Sequence, residues 1–190
     1  MNAGHSKLTD WGLSHVSIEK NETILDVGCG GGRTISKLAQ IATDGKIYGI
    51  DFSPESVATA RKVNARLTQM GQVEIREGSV SQLPFGDDTF DLVTAVETHF
   101  FWPDLPGDMR EVLRVLRPNG TLILVAEIYK GATNLHGKLA EKFLPSTGMT
   151  LLTSEEHREL FTGAGFSGVQ VIEERDKGWI CALGTKKFRT

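Results

Sequence analysis

An apolar run, Ile24-Leu25-Asp26-Val27, ends in Gly28-Cys29-Gly30-Gly31-Gly32 and passes through Arg33-Thr34 into a helical pattern. A strand that empties into glycines and then enters a helix is the most restrictive feature of this chain. Glycines let the backbone turn sharply and let a ligand touch the main chain. The helix start beyond them carries N–H groups without intrahelical partners, a setting that favours anionic groups such as a carboxylate. The chain as a whole is glycine-rich, with 21 glycines in 190 residues, against a usual ~7%.

The rest of the sequence alternates in the way such a unit requires. Short apolar runs at 23–27, 46–50, 72–75, 90–96 and 120–126 read as strands. Between them lie helical patterns. Ser53 precedes Pro54, and Val57, Ala60, Val63, Leu67 and Met70 follow at helical spacing, which predicts one helix reaching Met70. Met109, Val112, Leu113 and Leu116 predict another. Thr153 and Glu156 form a capping-box pair ahead of His157, Leu160, Phe161 and Ala164, with a stop near Gly165. Strands alternating with helices imply a parallel sheet covered on both faces. The runs at 169–172 and 179–183 are joined by residues 173–178, too short for a crossover helix, so they predict an antiparallel hairpin. At the other end, Leu8, Trp11, Gly12 and His15 have helical spacing, and residues 1–19 are expected to form either an edge helix or a lid over the ligand.

Composition fits one globular α/β domain over residues 1–190, with 39% apolar residues, 24% charged residues and a net charge of −3. The acidic balance argues against nucleic acid as a partner. Cys29 and Cys181 stand far apart, which gives neither a disulfide framework nor a metal knuckle, and no metal site is expected. No run approaches the ~18–20 apolar residues of a membrane span, and the N-terminal residues lack a signal-peptide core. A cytoplasmic protein with no membrane partner is expected.

The second strand ends in Asp51, 19 residues after Gly32. In doubly wound folds an acid at this place accepts the hydroxyls of a ribose. The dinucleotide fingerprint G-x-G-x-x-G fails, because its third glycine falls on Arg33 or Ile35, and the Gly-Lys-Ser/Thr of a phosphate-binding loop is absent. A nucleotide-dependent oxidoreductase is thereby the weaker reading. Asp26-x-Gly28-x-Gly30-x-Gly32 instead resembles motif I of the class I S-adenosylmethionine (SAM) dependent methyltransferases, close to the small, quinone-biosynthesis type. Gly78-Ser79-Val80-Ser81-Gln82-Leu83-Pro84-Phe85 is similar to the family's adenine-contacting segment, with Ser79 where Asp is usual. Residues 111–120 resemble its helix, turn and fifth strand, with Asn119 in place of the usual glycine. The resemblance implies a Rossmann-like, doubly wound, seven-stranded mixed sheet of order 3-2-1-4-5-7-6 with the last strand antiparallel. It implies SAM as cofactor and S-adenosylhomocysteine as product. By position, the implied cofactor contacts are Asp26, Gly28, Cys29, Gly30, Gly32, Asp51, Phe52, Ser53, Gly78, Ser79, Val80, Val96 and Glu97. A non-catalytic SAM-binding sensor or scaffold would share all of these.

Methyl transfer from a sulfonium is an in-line displacement with an excellent leaving group. The protein must supply alignment, water exclusion and, for some nucleophiles, a base. Glu97 and His99, just past the fourth strand, are the candidate proton acceptors. The Asn/Asp-Pro-Pro-Tyr/Phe signature of nucleobase and glutamine N-methylation is absent there, where the chain has Val96-Glu97-Thr98-His99. Trp11, Phe100, Trp102, Tyr129 and His136 are candidates for the pocket that receives the acceptor, Phe100, Phe101 and Trp102 are candidates to line it over the sulfonium, and His157 reads as packed. The expected partner is a small-molecule methyl acceptor, and the expected assembly a monomer or homodimer.

Overall fold

A computed structural model describes residues 3–143 and 148–188. The strands are β1 (Thr23–Val27), β2 (Lys46–Asp51), β3 (Val73–Glu77), β4 (Phe90–Val96), β5 (Leu116–Ala126), β6 (Phe166–Glu174) and β7 (Trp179–Lys186). They form one seven-stranded sheet of order β3-β2-β1-β4-β5-β7-β6. β1 pairs in parallel with β2 and β4, β2 with β3, and β4 with β5. β7 runs antiparallel to both β5 and β6, as the short 173–178 connector requires. The implied topology is thus the observed one.

Two cores follow from the pleat, since successive side chains leave opposite faces. Leu25, Val93, Leu122 and Leu124 join Met109 and Val112 of α5 (Leu105–Val115) and Phe161 of α7 (Ser154–Ala164). Ile24, Leu92, Ile123 and Val125 join α1 (Ala3–Leu13), α2 (Arg33–Ile41) and α3 (Pro54–Val63) through Leu8, Ile35, Leu38, Val57 and Ala60. The central strands, buried on both sides, need the continuous apolar runs that made them legible. α4 (Ala65–Gln69) and α6 (Leu135–Phe143) complete the helices.

The local caps agree with the sequence. Ser53 accepts from the N–H of Ser56, and Thr153 and Glu156 form the reciprocal capping box, with left-handed Gly165 ending α7. Asn119 adopts φ 68°, a conformation Asn tolerates better than most residues.

Three expectations need correction. The helix expected from Pro54 to Met70 breaks at Asn64 into α3 and α4, and Val63 and Met70 end up exposed. Leu116 does not continue α5 but opens β5. Trp11 does not face a ligand cavity: it packs against Trp179, ring centroids 5.7 Å apart, and edge-on to His15. α1 lies directly on the sheet, so that a Cβ on Gly12 would come within 2.5 Å of Val125 Cγ2.

Candidate active site

The glycine loop is built by its neighbours as much as by its glycines. Gly28 and Cys29 both donate their backbone N–H groups to the carbonyl of Ile50, tying the turn to the end of β2. Gly28, Gly30 and Gly32 take φ of 67°, 51° and 77°, values that penalise a Cβ. Each of the first and last is crowded as well. A Cβ on Gly28 would overlap the Thr98 hydroxyl, and one on Gly32 would lie 2.5 Å from Asn64 Nδ2. Around Gly30 the space is open, so the middle of the loop is where a ligand can approach the main chain.

Asp51, at the end of β2, is buried and bound on both oxygens. Oδ2 accepts from the N–H of Gly30 at 2.8 Å, and Oδ1 from the N–H of Ser53 at 2.9 Å. Each carboxylate oxygen has a second lone pair, so the acid joins loop and helix start and retains acceptor capacity for ligand hydroxyls. Asp26, in β1, is fully buried. Its Oδ1 accepts from Thr94 Oγ1 at 2.7 Å, while Oδ2 has no partner. Burial pushes this carboxyl up to about 7, with the Thr94 hydrogen bond opposing the rise and the charge of Asp51 adding to it.

The segment after β3 is braced from α5. Glu111 accepts from the N–H of Leu83 at 2.9 Å, and Arg114 donates to the carbonyls of Phe85 and Leu83 at 2.9 and 3.2 Å. Ser79 caps the short 3-10 turn Val80–Gln82, its hydroxyl accepting from Ser81 N–H at 3.2 Å.

These elements enclose a cavity of about 310 Å³ at the carboxyl ends of β1, β2, β3 and β4, where open α/β sheets bind ligands. Val27 and Gly28 form its floor beside Ile50, and Gly78, Ser79 and Val80 form one wall. Thr98, Phe101, Trp102 and Pro103 form the other, with Phe52 at the exposed rim.

The remaining candidates divide. Glu97 has φ 57°, a strained value for a residue with a side chain. Its carboxylate accepts the N–H of Glu127, at the end of β5, and burial raises it to about 8, the Glu127 hydrogen bond opposing and the Glu127 charge adding. His99 is buried against Phe100 and His157, and its Nδ1 has no partner. Burial, then the neighbouring His157, holds it well below its usual range. It does not line the cavity. Phe100 and Tyr129 pack together in a third cluster with Ile180, and the cavity wall uses Phe101 and Trp102 instead. The Cys29 side chain is turned into the core beneath the loop, 3.1 Å from where a Cβ on Gly49 would lie, and burial raises its thiol. Val96 packs against the second core. His136 lies outside the residues whose side chains are described.

Two residues escaped the sequence reading. Asn64 is buried, donates to the carbonyls of Gly32 and Ala60 at 3.0 Å each, and accepts from Ser36 Oγ at 2.7 Å. It both ends α3 and holds the last loop glycine. The signal was a polar residue amid an apolar period. Thr98 was overshadowed by its titratable neighbours, Glu97 and His99.

Comparison with known proteins agrees with this geometry. The methyltransferase domain family matches residues 25–124. A demethylmenaquinone methyltransferase of Geobacillus kaustophilus is 30% identical over 189 residues, covering 88% of this chain and 80% of that one. The O-methyltransferase cnsE of Penicillium expansum is 32% identical over 164 residues, covering 85% of this chain; the match spans 58% of the fungal protein's length. Among solved structures, a chain from the complex of the Haloferax volcanii Trm112 methyltransferase activator with a methyltransferase superposes with a TM-score of 0.81 at 23% identity, over 97% of this chain and 91% of that one. With its glycine loop, acid and strand order, the chain belongs to the class I SAM-dependent methyltransferases.

Proposed function

We propose that this protein transfers the methyl group of SAM to a small-molecule acceptor by in-line displacement. The observation that carries the reading is the Gly30–Asp51 hydrogen bond, made by the residue directly before Phe52 of the cavity lining. It supports a reading in which the glycine loop and a ribose-type acid serve one ligand. The residues present fit SAM. The backbone is open at Gly30, Asp51 keeps free lone pairs, and the buried Asp26 Oδ2 lacks the partner that an ammonium would supply. Gly78, Ser79 and Val80 would hold the adenine, and Asp51 with Phe52 and Ser53 the ribose side. The bound cofactor supplies an electrophilic methyl on a sulfonium.

The chain's own contribution is positioning. Phe101, Trp102 and Pro103 wall the cavity and exclude water from the transfer. Glu97 is not itself in the cavity lining but directly precedes Thr98, which is; it is the candidate base, and with its carboxyl raised to about 8 it would take a proton only as the pH approaches that value. His99, buried away from the cavity, holds Phe100 and the strand end in place rather than exchanging protons. The relatives named for quinone and hydroxyl methylation support a small organic acceptor. The test is a screen of small phenols, quinols and amines with labelled SAM. Label transfer to one class, lost on Asp51→Ala, is expected. A protein that binds SAM and methylates none of them would be a sensor.

A further inference from the structure

We infer that Thr98 supplies the polar contact at the reacting end of the cofactor, distinguishing the charged sulfonium from the neutral thioether product. This rests on the cofactor reading above. Thr98 follows β4 directly, and its Oγ1 fills the space that a side chain at Gly28 would need. β1 and β4 are neighbours at the centre of the sheet, and the chain order reverses between them. Ligands cross the sheet at such a switch point. To one side lie β2, which ends in Asp51, and the Gly78–Val80 segment that follows β3, to which the reading above gives the nucleoside half. The centre is therefore left to the sulfur.

Only two hydroxyl side chains line the described cavity, Ser79 and Thr98. Ser79 spends its oxygen on the N–H of Ser81. The Thr98 hydroxyl caps nothing, although the residue stands at the N-cap position of the turn His99–Phe101. A hydroxyl on a cavity-lining residue that makes no capping bond, and lies against the glycine loop, is available to a ligand. Opposite a sulfonium, an oxygen gains from the positive charge and from the polarised methyl hydrogens. Opposite a thioether it gains neither. Thr98 would thus favour substrate cofactor over product and orient the methyl for displacement.

The experiment measures dissociation constants of SAM and S-adenosylhomocysteine by calorimetry for the wild type, Thr98→Val, Thr98→Ala and Thr98→Ser. The expected result is SAM affinity weakened about three- to fivefold in Val and Ala, S-adenosylhomocysteine affinity held within about twofold, and the wild-type ratio kept by Ser. Two non-hydroxyl variants guard against one that folds poorly. Equal shifts for both ligands, or a Ser variant that behaves like Ala, would overturn the assignment alone. A wild type that binds neither ligand would overturn the cofactor reading and this assignment with it.

Discussion

Gly30 donates its backbone N–H to Asp51 Oδ2 at 2.8 Å, so the acid that ends β2 also fixes the loop that follows β1. Its other oxygen holds Ser53, at the start of α3. One carboxylate therefore ties the glycine loop to the start of α3, and an amide cannot replace it. In Asp51→Asn, one end of the side chain becomes a donor and faces an N–H. Each lost charged hydrogen bond is worth ~1.5–3 kcal/mol. Asp51→Asn is expected to lower stability by about that amount in urea melts and to weaken S-adenosylhomocysteine at least about tenfold. A variant with normal affinity would show that the acid serves only the loop.

Asn64 makes a second, independent prediction. Its amide donates twice and accepts once inside the fold. Asn64→Leu keeps the bulk and leaves the Gly32 carbonyl and Ser36 hydroxyl without these partners, a loss of ~1–3 kcal/mol. The melting temperature should fall, and cofactor affinity with it, because Gly32 starts α2. Loss of stability with unchanged affinity would separate Asn64 from the site.

These two residues show what the sequence disclosed and what it withheld. β1, β4 and β5 were legible because strands buried on both faces must be apolar throughout, and Asp51 because it closes such a strand at the right distance from the glycines. The break at Asn64 was not legible because Val57, Ala60, Val63, Leu67 and Met70 keep a helical period straight across it, and the one sign was a polar side chain amid that period. Only the tertiary hydrogen bonds to Gly32 and Ser36 interrupt it. Trp11 was misplaced for a related reason. A helical stripe reports that a face is covered, not what covers it, and here the cover is Val125 and Trp179. Phe100, Phe101 and Trp102 are adjacent in sequence, and a 3-10 turn sends Phe100 into the third cluster, leaves Phe101 exposed beside the cavity and sets Trp102 between the cavity and the first core.

The buried carboxyls predict a pH dependence. Asp26 is raised from 3.8 to about 7 and Glu97 from 4.5 to about 8, both chiefly by burial. The folded state favours their neutral forms. Their contribution is fully present below the unfolded values and is lost as the pH rises through about 7 and about 8, at up to ~1.4 kcal/mol per pH unit for each group. In the ligand-free protein, Asp26→Asn should therefore flatten the stability decline between pH 5 and roughly pH 7. An unchanged slope would mean that Asp26 does not titrate there. If the cofactor ammonium sits at Asp26, binding near pH 7 should also release up to about half a proton. Calorimetry in buffers of different ionisation enthalpy reads this, and Asp26→Asn should abolish it.

α1 is expected to be structural. Leu8 is fully buried, and Gly12 rests on Val125. Leu8→Ala should cost ~2–5 kcal/mol, and removing residues 1–16 should expose the Ile123–Val125 face and lower the melting temperature sharply. A truncated protein that melts like the full chain would show that α1 is only loosely attached.

The central claim is that the glycine loop and Asp51 hold SAM. Titration calorimetry of the wild type and Asp51→Ala with S-adenosylhomocysteine, and of the wild type with NADH, tests it most directly. The account predicts one saturable S-adenosylhomocysteine site, weakened at least about tenfold by Asp51→Ala, and no comparable NADH binding. Tighter binding of NADH, or an Asp51→Ala protein with the wild-type dissociation constant, would contradict it.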